Sequence, residues 1–264
     1  MIFKILFSSL FAFAGPTFDV FIRDVDIASE VQRDYRDIRA VVLDLFNVCP
    51  PDDCLFVGFE QNATPILALI EAVQGNEAIR FLPLNTETLW TEWRRPGVET
   101  GFRSHAQHFL GTPQSIKKHR IVVVDASLKR SVNIVEMTKQ LKAYYGDDRV
   151  VGYALTNFAD IGGFMPKEFL RSSGIQIKEI SDRFASRLLH HTYASLYPYP
   201  RFEVAELARM PYVAPPVYTP NRFPKLVDAF VAETFAHGPT KSFGNICLGI
   251  LRRIGSAWAI RAKR

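Results

Sequence analysis

The stretch that decides the fold is HRIVVVDASLKRSVNIVEM, residues 119–137. An apolar run ends at Asp125, a short polar and basic loop follows, and apolar residues then recur at helical spacing. This order is typical of a buried strand that leads through a loop into the first turn of a helix. Backbone N–H groups at such a helix start face an anion, and the helix dipole favours negative charge. The stretch therefore predicts an anion-binding loop.

Strand and helix patterns alternate on both sides of this stretch. The predicted strands cover residues 54–59, 78–84, 121–125, 149–156 and 174–180. A long amphipathic helix is predicted from Ile27, and a second helix begins with Thr64 as its N-cap and ends before Gly75. Residues 85–120 lack strand patterning and predict an excursion with short helices. The alternation predicts an α/β fold, a parallel sheet flanked by helices on both faces.

The two termini differ from the body in composition. Residues 1–14 have one charge, Lys4, an apolar run and a small-x-small ending, which predicts a signal peptide and a secreted or periplasmic protein. An N-terminal strand or buried helix is the alternative. Residues 15–192 are expected to form the α/β domain. Residues 193–264 are rich in proline and tyrosine and predict a C-terminal extension that packs on the domain.

The charge pattern bears on the kind of partner. A net charge of +5 is mildly basic, and neither an aromatic-rich RNA signature nor zinc-finger spacing accompanies it, so nucleic acid is not an expected partner. The last segment, residues 243–264, is apolar with several basic residues, which favours a terminal helix that docks on the core. A basic amphipathic helix that contacts a membrane surface or a protein is the alternative. The basic residues are Arg252, Arg253, Arg261, Lys263 and Arg264.

The sequence does not determine the redox state of its three cysteines. Cys49 and Cys54 flank a short loop that a disulfide would close outside the cytoplasm, while two free buried cysteines fit the sequence equally well. A metal site is not expected, because no third ligand accompanies the pair His105 and His108.

Polar residues that follow the predicted strands are the candidate ligand-binding groups. In an open parallel sheet, ligands bind beyond the carboxyl ends of the strands. Asp125 would accept hydrogen bonds from sugar hydroxyls, and the following loop would hold an anion. The alternative is that Asp125 and Ser131 only satisfy the loop backbone. The full candidate set is Gln61, Asn62, Arg94, Arg95, Asp125, Ser127, Lys129, Arg130, Ser131 and Asn133.

Residues 122–134, VVVDASLKRSVNI, resemble the PRPP-binding loop of type I phosphoribosyltransferases. Residues 54–72, CLFVGFEQNATPILALIEA, resemble the first core strand of that family and its pyrophosphate-binding loop. The resemblance covers about residues 55–156. It implies a phosphoribosyltransferase-like fold that binds a phosphorylated sugar or nucleotide, with Mg²⁺ if the ligand is PRPP. It also implies that residues 129–133 hold the 5′-phosphate and that Arg94 or Arg95 covers pyrophosphate.

The sequence departs from this family at several positions. Ala126 occupies the place of the second acidic residue, and Ser131 and Asn133 stand where glycine and threonine are usual. A missing carboxylate weakens ribose binding, and missing glycines hinder close approach of the backbone to a phosphate. The departures favour a binding protein with altered or lost transferase activity.

Two other functions fit parts of the sequence. Residues 39–49, RAVVLDLFNVC, resemble the nucleophile strand of haloacid-dehalogenase-type phosphatases, with Asp44 as a Mg²⁺-activated nucleophile. However, Phe46 occupies the place of the second aspartate, and the segment continues the helical pattern that begins at Ile27. The other alternative is a non-catalytic, exported interaction protein on the same α/β fold.

Overall fold

A computed structural model describes residues 27–58, 61–85, 92–126, 132–156, 167–188, 193, 202–209 and 224–237. The predicted signal peptide and the basic C-terminal segment lie outside these residues. Within the described residues, no helix combines the length and the apolar character needed to cross a membrane.

The described strands form a single parallel sheet. Five strands pair in the order β2-β1-β3-β4-β5, with Phe56 of β1 opposite Val122 of β3 and Asp125 of β3 opposite Ala154 of β4. Nearly every residue of the three central strands is buried, as expected for a sheet covered on both faces. The predicted α/β class is confirmed. The strands are β1 (Cys54–Gly58), β2 (Ile79–Phe81), β3 (Arg120–Asp125), β4 (Val150–Thr156) and β5 (Ile175–Glu179).

Helices cover both faces of the sheet. The α-helices are α1 (Ile27–Val48), α2 (Thr64–Gln74), α3 (Val98–Leu110), α4 (Val132–Tyr145), α5 (Lys167–Ser172), α6 (Asp182–Leu188), α7 (Val204–Leu207) and α8 (Pro224–Ala236). Helices α1, α2, α6 and α8 share one apolar core with the sheet, and α3, α4, α5 and α7 share the other. Short 3₁₀ turns, Gln61–Ala63 and Asn76–Ala78, precede α2 and β2.

Helix α1 confirms the predicted long amphipathic helix and excludes the phosphatase interpretation of Asp44. The backbone is helical throughout residues 39–48, so no nucleophile strand exists there. The Asp44 carboxylate accepts hydrogen bonds from Tyr153 Oη at 2.6 Å and from Lys178 Nζ at 3.0 Å. Burial and the hydrogen bond to Asp44 raise the pKa of Tyr153 well above its usual value, so the phenol remains a donor. Asp44 thus ties α1 to β4 and β5.

Two predictions about helices are wrong, the start of α2 and the short helices after β2. Thr64 was expected to cap α2, but the 3₁₀ turn continues directly into the helix, so Ala63 is the N-cap and Thr64 the first helical residue. The excursion after β2 was expected to hold short helices. Instead α3 is one continuous helix, because Val98, Phe102, Ala106 and Leu110 form a buried face. Gly75 follows α2 as predicted, with a positive φ of 89°.

Two described parts of the predicted C-terminal extension pack on opposite faces of the sheet. Helix α8 lies against α1, and Tyr35 Oη donates a hydrogen bond to Thr234 Oγ1 at 2.9 Å. Val204 and Leu207 of α7 enter the core on the α3 face. Asn85 N donates a hydrogen bond to Phe202 O at 2.7 Å, which ties residues 202–209 to the segment after β2.

A disulfide joins the end of α1 to the start of β1. Cys49 and Cys54 are bonded, with their Cα atoms 6.1 Å apart, and both are buried. This pairing resolves the alternatives that the sequence leaves open, since the turn at residues 50–53 brings the two side chains together.

Candidate functional site

The strand order places a topological switch point between β1 and β3. From β1 the chain crosses to β2 on one side, whereas from β3 it crosses to β4 on the other. In open α/β sheets the connections diverge at such a switch point, and ligands bind in the crevice beyond the carboxyl ends of the strands. In this sheet that position lies beyond β1 and β3. Of the predicted ligand-binding residues, Gln61 and Asn62 follow β1 and Asp125 ends β3, so these three lie at this end of the sheet.

The 3₁₀ turn forms one wall of the crevice. Gln61 and Asn62 are half-buried, and the turn contacts β3. Gly58 allows this close packing, since a Cβ at residue 58 would lie 2.7 Å from Leu67 Cδ1 and 3.0 Å from Ala63 Cβ. A larger residue at position 58 would push the turn and α2 away from the sheet.

Buried polar side chains form the opposite wall. Asp125 ends β3 with 2% of its surface exposed, and Asn133 lies in the first turn of α4 with 7% exposed. Residue alternation places Asp125 and Thr156, at the ends of neighbouring strands, on the α4 face of the sheet. The structure thus places Asp125, Asn133 and Thr156 at one end of the sheet. The predicted residues Ser127, Lys129, Arg130 and Ser131 lie outside the described residues.

Two threonine hydroxyls at the carboxyl end of the sheet were not among the predicted ligand-binding groups. The Oγ1 atoms of Thr64, at the start of α2, and Thr156, at the end of β4, are fully buried and have no hydrogen-bond partner among the described residues. A buried hydroxyl without a partner costs about 1–3 kcal/mol. The signal for Thr156 was a polar residue that ends an otherwise apolar strand, VVGYALT.

Arg94 and Arg95 lie at the surface, in the turn that leads into α3. Both side chains are exposed, and Arg95 Nε pairs with Glu92 Oε2 at 2.6 Å. Trp93 packs edge-on against Phe102, with ring centroids 5.1 Å apart, and anchors this turn on α3. In the described structure the arginines therefore extend from an anchored turn into solvent.

His105 is a structural residue. Its side chain is fully buried, and Nε2 lies 3.0 Å from the carbonyl oxygen of Pro83, which fixes the tautomer with the proton on Nε2. Burial lowers the pKa of His105 to about 3, so the ring is neutral at neutral pH. The described residues contain no cluster of three or more metal-ligating side chains.

His105→Gln is expected to flatten the acid dependence of stability. Between pH 6.5 and about 3 the unfolded chain binds a proton at this site and the folded chain does not, so stability falls as the pH is lowered. The loss from pH 7 to pH 5 is about 2 kcal/mol. The glutamine amide can donate to Pro83 O without titrating. Urea denaturation at both pH values measures the difference. The exposed His119→Gln is the control, and an equal pH dependence in wild type and His105→Gln would contradict the assignment.

Comparison with protein-family models, curated proteins and solved structures finds no match for this chain. The kind of ligand is therefore inferred from the chemical groups at the switch point. A buried carboxylate accepts hydrogen bonds from ligand hydroxyls, the threonine hydroxyls donate or accept, and the start of α4 provides backbone N–H groups. This combination suits a ligand with both hydroxyl groups and negative charge.

Proposed function

We propose that the protein binds a phosphorylated sugar or a nucleotide in the crevice between β1 and β3, on a phosphoribosyltransferase-like fold. The observation that carries this proposal is the pair of buried hydroxyls, Thr64 and Thr156, without partners on either side of the buried Asp125. Groups of this kind are costly in a closed core, and a hydroxylated ligand would satisfy them.

Each group has a role in the proposed complex. Asp125 accepts hydrogen bonds from ribose hydroxyls, and residues 129–133 with the start of α4 hold the phosphate. Gln61 and Asn62 contact the second anionic group of the ligand, and Arg94 or Arg95 covers it. If the ligand is PRPP, its Mg²⁺ is held mainly by the ligand phosphates, because Ala126 supplies no second carboxylate. The proposed protein binds its ligand and has lost efficient phosphoribosyl transfer.

We also propose that the chain is exported. The Cys49–Cys54 disulfide supports this, because structural disulfides persist in oxidising compartments and are rare in the cytosol. N-terminal sequencing of secreted or periplasmic protein should then begin near Gly15. Recovery of a soluble cytosolic protein that retains Met1 would contradict export.

Ribose 5-phosphate, AMP or PRPP with Mg²⁺ is expected to raise the melting temperature. A ligand at one hundred times its Kd stabilises the folded state by about 2.7 kcal/mol. Asp125→Ala should abolish the rise, whereas Asp147→Asn, an exposed carboxylate before β4, should retain it. An unchanged melting temperature with every ligand would contradict the proposal and favour a non-catalytic interaction protein.

Substitution of Thr64 and Thr156 tests directly whether their hydroxyls contact the ligand. Thr64→Val and Thr156→Val are each expected to stabilise the ligand-free protein by about 1 kcal/mol, since an isosteric methyl replaces a buried hydroxyl without a partner. Both should weaken the thermal response to the ligand. Thr138→Val is the matched control: its hydroxyl is also buried without a partner, but it packs against Gly152 in the middle of β4. Thr138→Val should stabilise the protein equally and leave the ligand response unchanged. Equal ligand responses in all three variants would exclude the threonines from the site.

A further inference from the structure

A cavity of about 400 Å³ lies at the amino ends of the strands, at the opposite end of the sheet from the crevice. Its walls come from the amino ends of β1 and β2, the last residues of α3, and the loop between α3 and β3. We call it the amino-edge cavity. Its volume falls within the range of small-molecule sites, about 300–1,000 Å³.

The loop that forms one wall is held in place by a single arginine. The guanidinium of Arg149 donates hydrogen bonds to the carbonyl oxygens of Pro113, Ile116, Lys118 and His119. In addition, Tyr145 Oη donates to Gly111 O at 2.7 Å, where α3 ends. The cavity is therefore preformed, and a ligand would not need to order the loop.

Positive charge predominates around the amino-edge cavity. Arg80, Lys117 and Lys118 line it, against one carboxylate, Glu77. Lys118 Nζ donates to Pro51 O and Asp52 O at 3.2 and 2.7 Å, which uses two of its three donors and fixes the ammonium group. Lys117 is exposed at the rim.

The C-terminus of α3 also lies at the cavity, and its dipole opposes an anion. Bonds to its terminal carbonyls reduce this effect. Gly111 N donates to Gln107 O, and the single Tyr145 hydroxyl proton is directed at Gly111 O at 2.7 Å, with Ala106 O farther away at 3.3 Å. The three cations outweigh Glu77 and the helix dipole, which is equivalent to about half a negative charge, so the net charge at the cavity is positive.

We propose that the amino-edge cavity binds a small organic anion with an apolar body, a carboxylate of medium chain length being the simplest. The cations would hold the carboxylate, and the apolar lining would contact the chain. That lining consists of Leu55, Phe109, Leu110 and Ile116. A bare inorganic anion would leave these apolar walls uncovered, and an organic cation would be repelled.

Titration calorimetry with octanoate and with neutral octanamide tests the proposal on the full chain. Octanoate should bind at least tenfold more tightly than octanamide. Lys117→Glu should weaken octanoate binding about tenfold, because it changes the charge at the cavity by two units, and Glu77→Gln should tighten it about threefold, because it changes that charge by one unit. Lys225→Glu makes the same charge change as Lys117→Glu on the exposed side of α8 and should leave octanoate binding unchanged.

Misfolding would lower the affinity for octanoate, so the expected gain of affinity in Glu77→Gln cannot arise from it. If Lys117→Glu is unstable, Lys117→Gln replaces it. Asp125→Ala should bind octanoate with the affinity of the wild type, since Asp125 lies at the opposite end of the sheet. Octanoate binding is therefore independent of the proposed phosphate-ligand site, and the two proposals can fail separately. Absence of octanoate binding, equal binding of octanoate and octanamide, or equal affinity in the wild type and the two cavity variants would overturn the proposal.

Discussion

Gly101→Ala is expected to destabilise the protein by about 3 kcal/mol, although the substitution lies in the middle of a helix. Alanine in place of glycine normally stabilises a helix by about 1 kcal/mol. Here a Cβ at residue 101 would overlap the backbone carbonyl group of Leu207 and lie 3.1 Å from Ala208 N. Backbone atoms cannot rotate away as a side chain would. Helix α3 and residues 204–208 would have to separate, which exposes Val204 and Leu207.

Two measurements distinguish this effect from a general loss of stability. Urea denaturation gives the change in unfolding free energy, and hydrogen exchange should show reduced protection at residues 202–209 and at Asn85, whose amide bonds to Phe202 O. Thr100→Ala, on the exposed side of the same helix, is the control and should change stability by only a few tenths of a kcal/mol. A Gly101→Ala variant as stable as the wild type would show that α3 and α7 do not pack this closely.

Gly101 also illustrates why α3 was not predicted as one helix. Its apolar positions, Val98, Phe102, Ala106 and Leu110, recur only every four residues, and a glycine interrupts them. The reason for the glycine is a contact with residues 207–208, which lie far away in sequence. Sequence periodicity reports which face of a helix is buried, but it does not report a backbone that approaches from a distant segment.

The strands were predictable for a different reason. A run such as Ile121–Asp125 is apolar at successive positions because both faces of the sheet are covered, and alternation with helices implies parallel strands. The burial of Asp125 follows from its place at the end of that run. The hydroxyls of Thr64 and Thr156 were not predictable as site groups, because whether a hydroxyl finds a partner depends on the packing of neighbouring elements.

Asp34→Ala is expected to destabilise the protein by about 3–5 kcal/mol, the range for breaking a buried ion pair. Asp34 is fully buried in α1, and its Oδ1 lies 2.5 Å from Arg187 Nε. Tyr193 Oη donates a hydrogen bond to Asp34 Oδ2 at 3.3 Å. Without Asp34 the guanidinium of Arg187, whose side chain is only 16% exposed, would lose its buried partner.

Asp37→Ala is the matched control, because Asp37 binds the same guanidinium. Arg187 Nη2 lies 3.0 Å from Asp37 Oδ2, but the Asp37 side chain is 45% exposed, so its loss should cost less than about 1 kcal/mol. Arg187→Met in the Asp34→Ala background should recover part of the lost stability, since it removes the guanidinium that has lost its buried partner and keeps an apolar side chain of similar length. Urea denaturation of the wild type, Asp34→Ala, Arg187→Met and the double variant measures the coupling between residues 34 and 187, and Asp37→Ala is measured beside them. Equal losses in Asp34→Ala and Asp37→Ala, or no recovery in the double variant, would show that burial of the charge does not set the cost.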